Sequence, residues 1–248
     1  DGHVSSLSLS PDGKRLVTGG SDKAVNIWDI ATGKELIKVS GAHREYITCV
    51  AFSPDGKRIV SSDYSEIKVW DAASVNEAIT SIKLSDGWVS SVSFSSDGKH
   101  IVSAIRDDNM IKVWDAATGA EIIAFHHGHQ DGASCAVFSP NGKHIVSTGN
   151  DGIIKIWDAA SGDEVMKITG QNDLFGPVSF NSDGKLLASG SAGNRIKVWD
   201  TITGAIVTIL HGHDGPIDSV AFSPEDKYLV SGSDDCTVRI WDIATGEE

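Results

Sequence analysis

Three residue types that together perform nucleophilic hydrolysis occur twice in this sequence, in the same order and at matching spacing. The two sets are His129, Ser147 and Asp151, and His213, Ser231 and Asp235. A histidine that takes the proton of a serine hydroxyl and is itself oriented by an aspartate is the arrangement of acyl-transfer enzymes. An enzyme does not usually repeat its catalytic residues along one chain. We therefore favour a structural role for both sets, and a hydrolase remains the alternative.

Histidines near these sets raise the question of a metal site, because imidazole is a common metal ligand. They are His126, His127, His129, His211 and His213. The two groups are far apart in the chain, and the three cysteines share no metal-type spacing. There is no phosphate-binding loop and no strand–GxGxxG–helix unit. The sequence therefore predicts neither a metal nor a cofactor.

A Trp-Asp pair recurs through the chain and defines the elements that must position these residues. It occurs at Trp28, Trp70, Trp114, Trp157, Trp199 and Trp241, at intervals of 42 to 44 residues. The seventh tryptophan, Trp88, lies off this period. A period in the low forties with alternating strands inside each unit is typical of propeller blades.

Each repeat contains four short segments with strand character, which we name a, b, c and d. Strand a alternates apolar residues, as in Ile47, Val50 and Phe52, and ends in a turn such as SPDGK. Strand b resembles LVSG, strand c ends in the Trp-Asp pair, and an ATG-type turn leads to strand d. β-Branched residues with period-two alternation predict strands, and no segment has helical periodicity. We therefore expect an all-β protein.

The sequence resembles the WD-repeat β-propeller family over essentially its whole length. The signature is the recurring Trp-Asp pair together with Gly128-His129 and Gly212-His213. The resemblance implies a single β-propeller domain over residues 1–248, with six four-stranded antiparallel repeats. Their approximate bounds are 1–40, 41–84, 85–127, 128–169, 170–210 and 211–248. The last repeat lacks strand d, and the family usually has seven blades. We therefore expect a piece of a larger regulatory protein, and six versus seven blades stays open.

The resemblance also implies roles for the two triad-like sets. In the family, the His, the strand-b Ser, the turn Asp and the strand-c Trp form a buried hydrogen-bonded network. Trp157 and Trp241 complete the two sets here. The second repeat has His43 but places Tyr64 at the Asp position, in a turn one residue shorter.

The composition argues against several classes of partner. The formal net charge is −13, from 34 acidic and 21 basic residues, and such a balance disfavours nucleic acid. No apolar run approaches the roughly 20 residues of a membrane helix. The N-terminus does not resemble a signal peptide. We therefore predict a cytoplasmic protein that binds neither nucleic acid nor membrane.

The loops that vary between repeats are the best candidates for binding a partner. In an antiparallel meander the d–a and b–c loops emerge at the same end, and here they differ from copy to copy. The predicted partner-binding residues are Tyr46, Trp88, Asp86, Asp107, Asp131, Asn150, Leu174, Asp214 and Asp234.

Two features of these loops suggest what they bind. We expect Trp88 beside Tyr46 as an aromatic anchor, or folded over its own blade to replace a histidine that Ser85 does not supply. Acids in all the d–a loops, together with Asp63 in a b–c turn, favour a Lys- or Arg-bearing peptide. Ordinary solubilising charge is the alternative for those acids.

The resemblance implies a function that is not enzymatic. We predict a scaffold for protein–protein interaction that binds a partner protein or basic peptide on its d–a and b–c loops. The alternative is a propeller that binds a small ligand or glycan, with Trp88 or a central channel as the site.

Overall fold

Strands and tight turns alternate through the described chain, as the repeat predicts. In the computed structural model the described residues are 2–74, 77–85, 87–126, 128–169 and 176–248. They form 23 β-strands and no helix, so no described helix is available to cross a membrane. The strands belong to two compact units, Asp1–His126 and His127–Glu248, which are described in turn. That the chain is one propeller domain over residues 1–248 stays a prediction.

Unit 1 contains three four-stranded sheets, which we call blades 1 to 3. In each blade the strands are neighbours in chain order and antiparallel. Blade 1 comprises β1 (Val4–Leu9), β2 (Arg15–Gly20), β3 (Val25–Asp29) and β4 (Glu35–Val39). Blade 2 comprises β5 (Cys49–Phe52), β6 (Arg58–Ser62), β7 (Glu66–Asp71) and β8 (Ala78–Lys83). Blade 3 comprises β9 (Val89–Phe94), β10 (His100–Ile105), β11 (Met110–Asp115) and β12 (Glu121–Phe125).

Unit 2 contains blades 4 to 6, and its last blade has three strands, the number predicted. Blade 4 comprises β13 (Ala133–Phe138), β14 (His144–Gly149), β15 (Ile153–Asp158) and β16 (Glu164–Thr169). Blade 5 comprises β17 (Val178–Phe180), β18 (Leu186–Ser191), β19 (Arg195–Asp200) and β20 (Ile206–His211). Blade 6 comprises β21 (Ile217–Phe222), β22 (Tyr228–Ser233) and β23 (Val238–Asp242).

The Trp-Asp pair ties together the parts of each blade, and blade 3 shows how. The indole nitrogen of Trp114 donates to Ser103 Oγ on the neighbouring strand at 2.9 Å. Asp115 accepts the backbone N–H and the hydroxyl of Thr118, each at 2.8 Å, and so closes the c–d turn. These bonds favour the carboxylate and lower the pKa of Asp115. Because the Trp-Asp pair recurs in every repeat, the same blade structure recurs with it.

Apolar side chains of consecutive blades within a unit pack on one another and form the cores. Val25 and Ile27 of β3 are fully buried in one cluster with Ile47 and Val50 of blade 2. Corresponding clusters join blade 2 to 3, blade 4 to 5 and blade 5 to 6. Blades 2 and 5 thus bury one face against the preceding blade of their unit and the other face against the following blade.

Two blade faces keep the apolar pattern but are exposed to solvent. On β1 the side chain of Leu7 is 61% exposed, whereas Val50 at the same repeat position is 3% exposed. On β23 the side chain of Ile240 is 56% exposed, whereas its counterpart Ile27 is fully buried. Both positions belong to the apolar alternation of the repeat, and their exposure shows that burial depends on a neighbouring sheet.

Candidate functional site

The network of blade 4 forms around the hydroxyl of Ser147. His129 Nε2 lies 2.8 Å from Ser147 Oγ, and Trp157 donates its indole N–H to the same oxygen at 2.9 Å. On the other side of the ring, His129 Nδ1 lies 3.0 Å from Asp151, which also accepts the backbone N–H of Gln130 at 2.9 Å. Burial lowers the pKa of His129 and outweighs the opposing effect of Asp151. The imidazole is therefore neutral near pH 7.

Blade 6 repeats this geometry closely. His213 lies 2.7 Å from both Ser231 Oγ and Asp235 Oδ2, and Trp241 donates to Ser231 at 2.9 Å. Hydrogen bonds, first from the Thr237 hydroxyl, hold the pKa of Asp235 well below its ordinary value. Both networks therefore link a d–a loop, strand b, the b–c turn and strand c of one blade.

These networks have the connectivity of a catalytic triad, but their hydroxyls are sealed inside the blades. Ser147 is 0% exposed and Ser231 is 1% exposed. A nucleophile must reach the substrate, and each of these oxygens already accepts an indole N–H. Satisfying buried polar groups is the role that this geometry supports.

In blade 2 the structure corrects the residue that completes the network. The one-residue shorter turn brings Asp63, not Tyr64, to the histidine, with Asp63 Oδ2 3.3 Å from His43 Nδ1. Asp63 is fully buried and accepts the backbone N–H groups of Ser65 and Glu66 at 2.9 and 2.8 Å. Asp63 is therefore part of the blade interior and not of an acidic surface.

The one cluster of potential metal ligands found among the described residues includes two members of this network. Ligand atoms of His43, Asp63 and Glu66 lie within 4.8 Å of one another. Glu66, however, has the Lys68 ammonium at 3.1 Å and accepts the hydroxyl of Ser81. An ammonium next to the carboxylate already supplies the positive charge that a cation would bring, so the cluster is explained without a metal.

The predicted aromatic anchors lie on the d–a and b–c loops of unit 1, which we call the loop face of unit 1. Trp88 is 38% exposed, and its ring packs on Tyr64 with centroids 4.2 Å apart. The Arg106 guanidinium lies 5.9 Å from the Trp88 centroid. Trp88 was expected beside Tyr46 or folded over its own blade, and the ring that it packs on is Tyr64. The Lys23 ammonium lies 5.7 Å from the centroid of the Tyr46 ring.

Charge on the loop face of unit 1 is mixed, because basic residues of the b–c turns lie among the acids. Asp107 is exposed. Glu45 lies 3.7 Å from the Lys23 ammonium, and Arg106 precedes Asp107 in the same turn. The predicted site residue Asp86 lies outside the described residues. The acids of unit 1 are thus partly neutralised.

The d–a and b–c loops of unit 2, which we call its loop face, contain acids in blades 4 and 6 for which no ion pair is found among the described residues. Asp131, Asp214 and Asp234 are exposed, and Asn150 is half-buried. The predicted residue Leu174 lies outside the described residues. The loops 212–216 and 233–237 of blade 6 contain no Lys or Arg.

Asp218 is a further acid at this end of blade 6 and is not among the predicted binding residues. Burial first, and then the charge of Asp234 and a hydrogen bond with it, raise the pKa of the Asp218 carboxyl. Its signal in the sequence is an acidic residue inside strand a, between Ile217 and Val220. Asp218 and Asp234 therefore form an acidic pair.

Comparison with known proteins assigns the repeats. The family model described as "WD domain, G-beta repeat" matches residues 1–29, 34–71, 77–115, 120–158, 178–200 and 204–242.

Individual relatives match over short stretches. The chain is 34% identical over 64 residues to the nuclear distribution protein PAC1-1 of Uncinocarpus reesii, covering 25% of this chain and 14% of that protein. It is 41% identical over 58 residues to the serine-threonine kinase receptor-associated protein of Dictyostelium discoideum, covering 23% and 20%. The chain therefore matches a fifth or less of the length of these relatives. Because the family model covers most of the chain, in six segments that each contain a Trp-Asp pair, the chain belongs to the WD-repeat β-propeller family.

Proposed function

We propose that this chain is a non-enzymatic scaffold that binds a partner protein through its loop faces. The observation that carries the proposal is the exposure of Trp88. Trp70 and Trp114 of the same unit are no more than 5% exposed and are bonded inside their blades, whereas Trp88 is 38% exposed beside Tyr64. An aromatic side chain held open on a rigid support is a common anchor of protein interfaces.

The acids of blade 6 favour a basic segment in the partner. Asp214 and Asp234 are exposed. Burial is the main cause that raises the pKa of the Asp218 carboxyl, and repulsion by the charge of Asp234 raises it further. A Lys or Arg side chain placed there would relieve that repulsion, which gives the surface a preference for cations.

The relatives support an interaction role in general terms. WD-repeat propellers generally bind protein partners, and the name of the Dictyostelium relative states that it associates with a kinase receptor. We propose that the present chain serves in the same way as part of a larger regulatory protein in the cytoplasm.

The test is quantitative affinity capture from cell lysate with the immobilised chain. Four forms are compared: wild type, Tyr46→Ala/Trp88→Ala, Asp218→Asn/Asp234→Asn, and Ile79→Ala as the control. Ile79 is 54% exposed on β8, so its substitution removes a comparably exposed apolar group away from the loops. Circular dichroism checks that every form remains folded.

The proposal is supported if proteins that wild type and Ile79→Ala both capture are selectively lost with either loop variant. Equal capture by all four forms means that another surface binds. A saturable rise of the melting temperature with a sugar or metabolite, abolished by Trp88→Ala, would instead favour the small-ligand or glycan alternative.

A further inference from the structure

An arginine joins blade 1 to blade 2 at the end of the blades opposite the loop face. Arg15, the first residue of β2, donates from Nη1 to the carbonyl of Ala72 at 3.1 Å and from Nη2 to the carbonyl of Gly56 at 2.9 Å. Its guanidinium carbon lies 5.4 Å from the centroid of Phe52. Two carbonyls and one aromatic face of the following blade thus form a seat for a guanidinium.

The same arrangement recurs between blades 2 and 3. Arg58, the first residue of β6, donates to the carbonyl of Gly98 and lies 5.7 Å from the centroid of Phe94. The seat is therefore a property of the repeat and not of one pair of blades.

Between blades 4 and 5 the seat is present without its arginine. The residue at the repeat position of Arg15 is His144, and no hydrogen bond from its imidazole to blade 5 occurs among the described residues. A cavity of about 200 Å³ opens there. It is lined by His144 and by the counterparts of all three seat residues, Phe180, Gly184 and Thr201. At the next junction, between blades 5 and 6, Leu186 takes the position and packs into the apolar cluster.

The backbone of the empty seat matches that of the occupied one. Gly56 and Gly184 have φ angles of +68° and +74°. A Cβ added to either would lie 3.2 or 3.3 Å from the Cδ of a proline in the preceding blade, Pro11 or Pro140. The Cβ added at Gly56 would also lie 3.7 Å from Arg15 Nη2, whereas the Cβ added at Gly184 would have only Pro140 within 4 Å. The seat is preformed and lacks its guanidinium.

Charges around the cavity are compatible with a cation. Asp183 lines it and pairs with Lys185 at 2.9 Å. A lysine follows the turn glycine at the occupied seats as well, at Lys57 and Lys99, so Lys185 does not exclude a guanidinium. The carbonyl of Gly184 accepts the hydroxyl of Thr201 at 2.8 Å, which leaves it a second lone pair.

We propose that this cavity binds an arginine side chain supplied by a partner protein. A planar guanidinium can donate to two carbonyls while it stacks on a ring, which an ammonium cannot do, so the site selects arginine over lysine. It lies at the a–b and c–d turns of unit 2 and is independent of the function proposed for the loop faces.

The test measures binding of fluorescent five-residue peptides to the full chain by anisotropy. The peptides carry a central arginine, lysine or citrulline, and citrulline keeps the shape of arginine without its charge. The protein forms are wild type, His144→Arg, Phe180→Leu and the control His211→Arg. His211→Arg adds the same side chain to the exposed end of β20, outside the cavity.

Wild type and His211→Arg should bind the arginine peptide about tenfold more tightly than the other two peptides. Phe180→Leu should bind it about two- to fivefold more weakly, because the ring face is lost. His144→Arg should fill the seat from within, lose binding by at least about tenfold and melt at a higher temperature. Equal affinity for arginine and lysine, no binding up to about 10 mM, or unchanged binding by folded His144→Arg would overturn the proposal. These peptide measurements do not depend on whether the loop faces capture a partner protein, so the two proposals can fail separately.

Discussion

The network serines provide a matched test of how much the buried hydrogen bonds stabilise a blade. Ser147 and Ser103 occupy the same position of strand b, and both are 0% exposed. Ser147 bonds to His129 and Trp157, whereas the described side-chain partner of Ser103 is Trp114 alone. Substitution by alanine keeps the shape of the site and removes only the oxygen.

The expected cost follows from the number of groups left without a partner. A buried polar group that loses its hydrogen bond costs about 1–3 kcal/mol. Ser147→Ala leaves two such groups without a partner, so it should lower the free energy of local opening by about 2–6 kcal/mol. Ser103→Ala leaves one such group without a partner and should lower the free energy of local opening by about 1–3 kcal/mol.

Native-state hydrogen exchange of the amides in β14 and β10 is the appropriate assay, because a chain of repeats need not unfold in one cooperative step. The double mutant His129→Ala/Ser147→Ala should cost less than the sum of its single mutants, because both remove the same bond. Equal costs for the two serine substitutions, or additivity in the double mutant, would refute this account of the network.

Three further predictions follow from burial, pKa and backbone geometry. Ile27→Ala should destabilise unit 1 by about 2–5 kcal/mol, whereas Ile240→Ala, at the same repeat position but exposed, should cost less than about 1 kcal/mol in hydrogen exchange of its blade. Equal costs would mean that the Ile240 face is covered in solution. Acidification should lower the melting temperature in two stages. Burial lowers the pKa of His129 in the folded chain. As the pH falls below about 6.5, the unfolded chain therefore takes up a proton on this histidine before the folded chain does, and the folded state is destabilised. Burial alone would raise the pKa of Asp63, but the nearby His43 and hydrogen bonds from the backbone hold this pKa well below 3.8. The stabilisation by the Asp63 carboxylate is therefore lost as the pH falls below about 4. A melting temperature that stays constant or rises as the pH falls from 7 to 3 would contradict both of these expected effects. Asp226→Gly should relieve about 1 kcal/mol of strain at φ +57° but lose three hydrogen bonds to Asn181 and Ser182, for a net loss of about 1–2 kcal/mol measured by urea unfolding. A gain in stability would show that the strain dominates.

Much of the fold was predictable because each repeat carries its own local signals. Strand alternation, the left-handed glycine of the a–b turn and the closing Trp-Asp pair act within about forty residues, and the repeat states them six times. The network around Ser147 was predictable from family resemblance for the same reason, since its members keep a constant spacing.

Where a loop changes length, counting along the sequence failed. In blade 2 the counted position of the network Asp falls on Tyr64, yet the shorter turn brings Asp63 to His43. Spacing along the chain says which residue follows which, but the path of the turn decides which side chain faces inward. The packing of the Trp88 ring on Tyr64 of this turn was likewise not predicted from spacing along the chain.

The sequence by itself determined the local order of this protein: the strands, their turns, the Trp-Asp contacts and the family. Only the tertiary structure decided which equivalent residues have different surroundings. Ile27 and Ile240 share a position, yet one is buried and the other exposed. Arg15 and His144 share another, yet one fills a seat and the other leaves it open. Burial and occupancy depend on the neighbouring blade, and that neighbour lies some forty residues away in the chain but in direct contact in the fold.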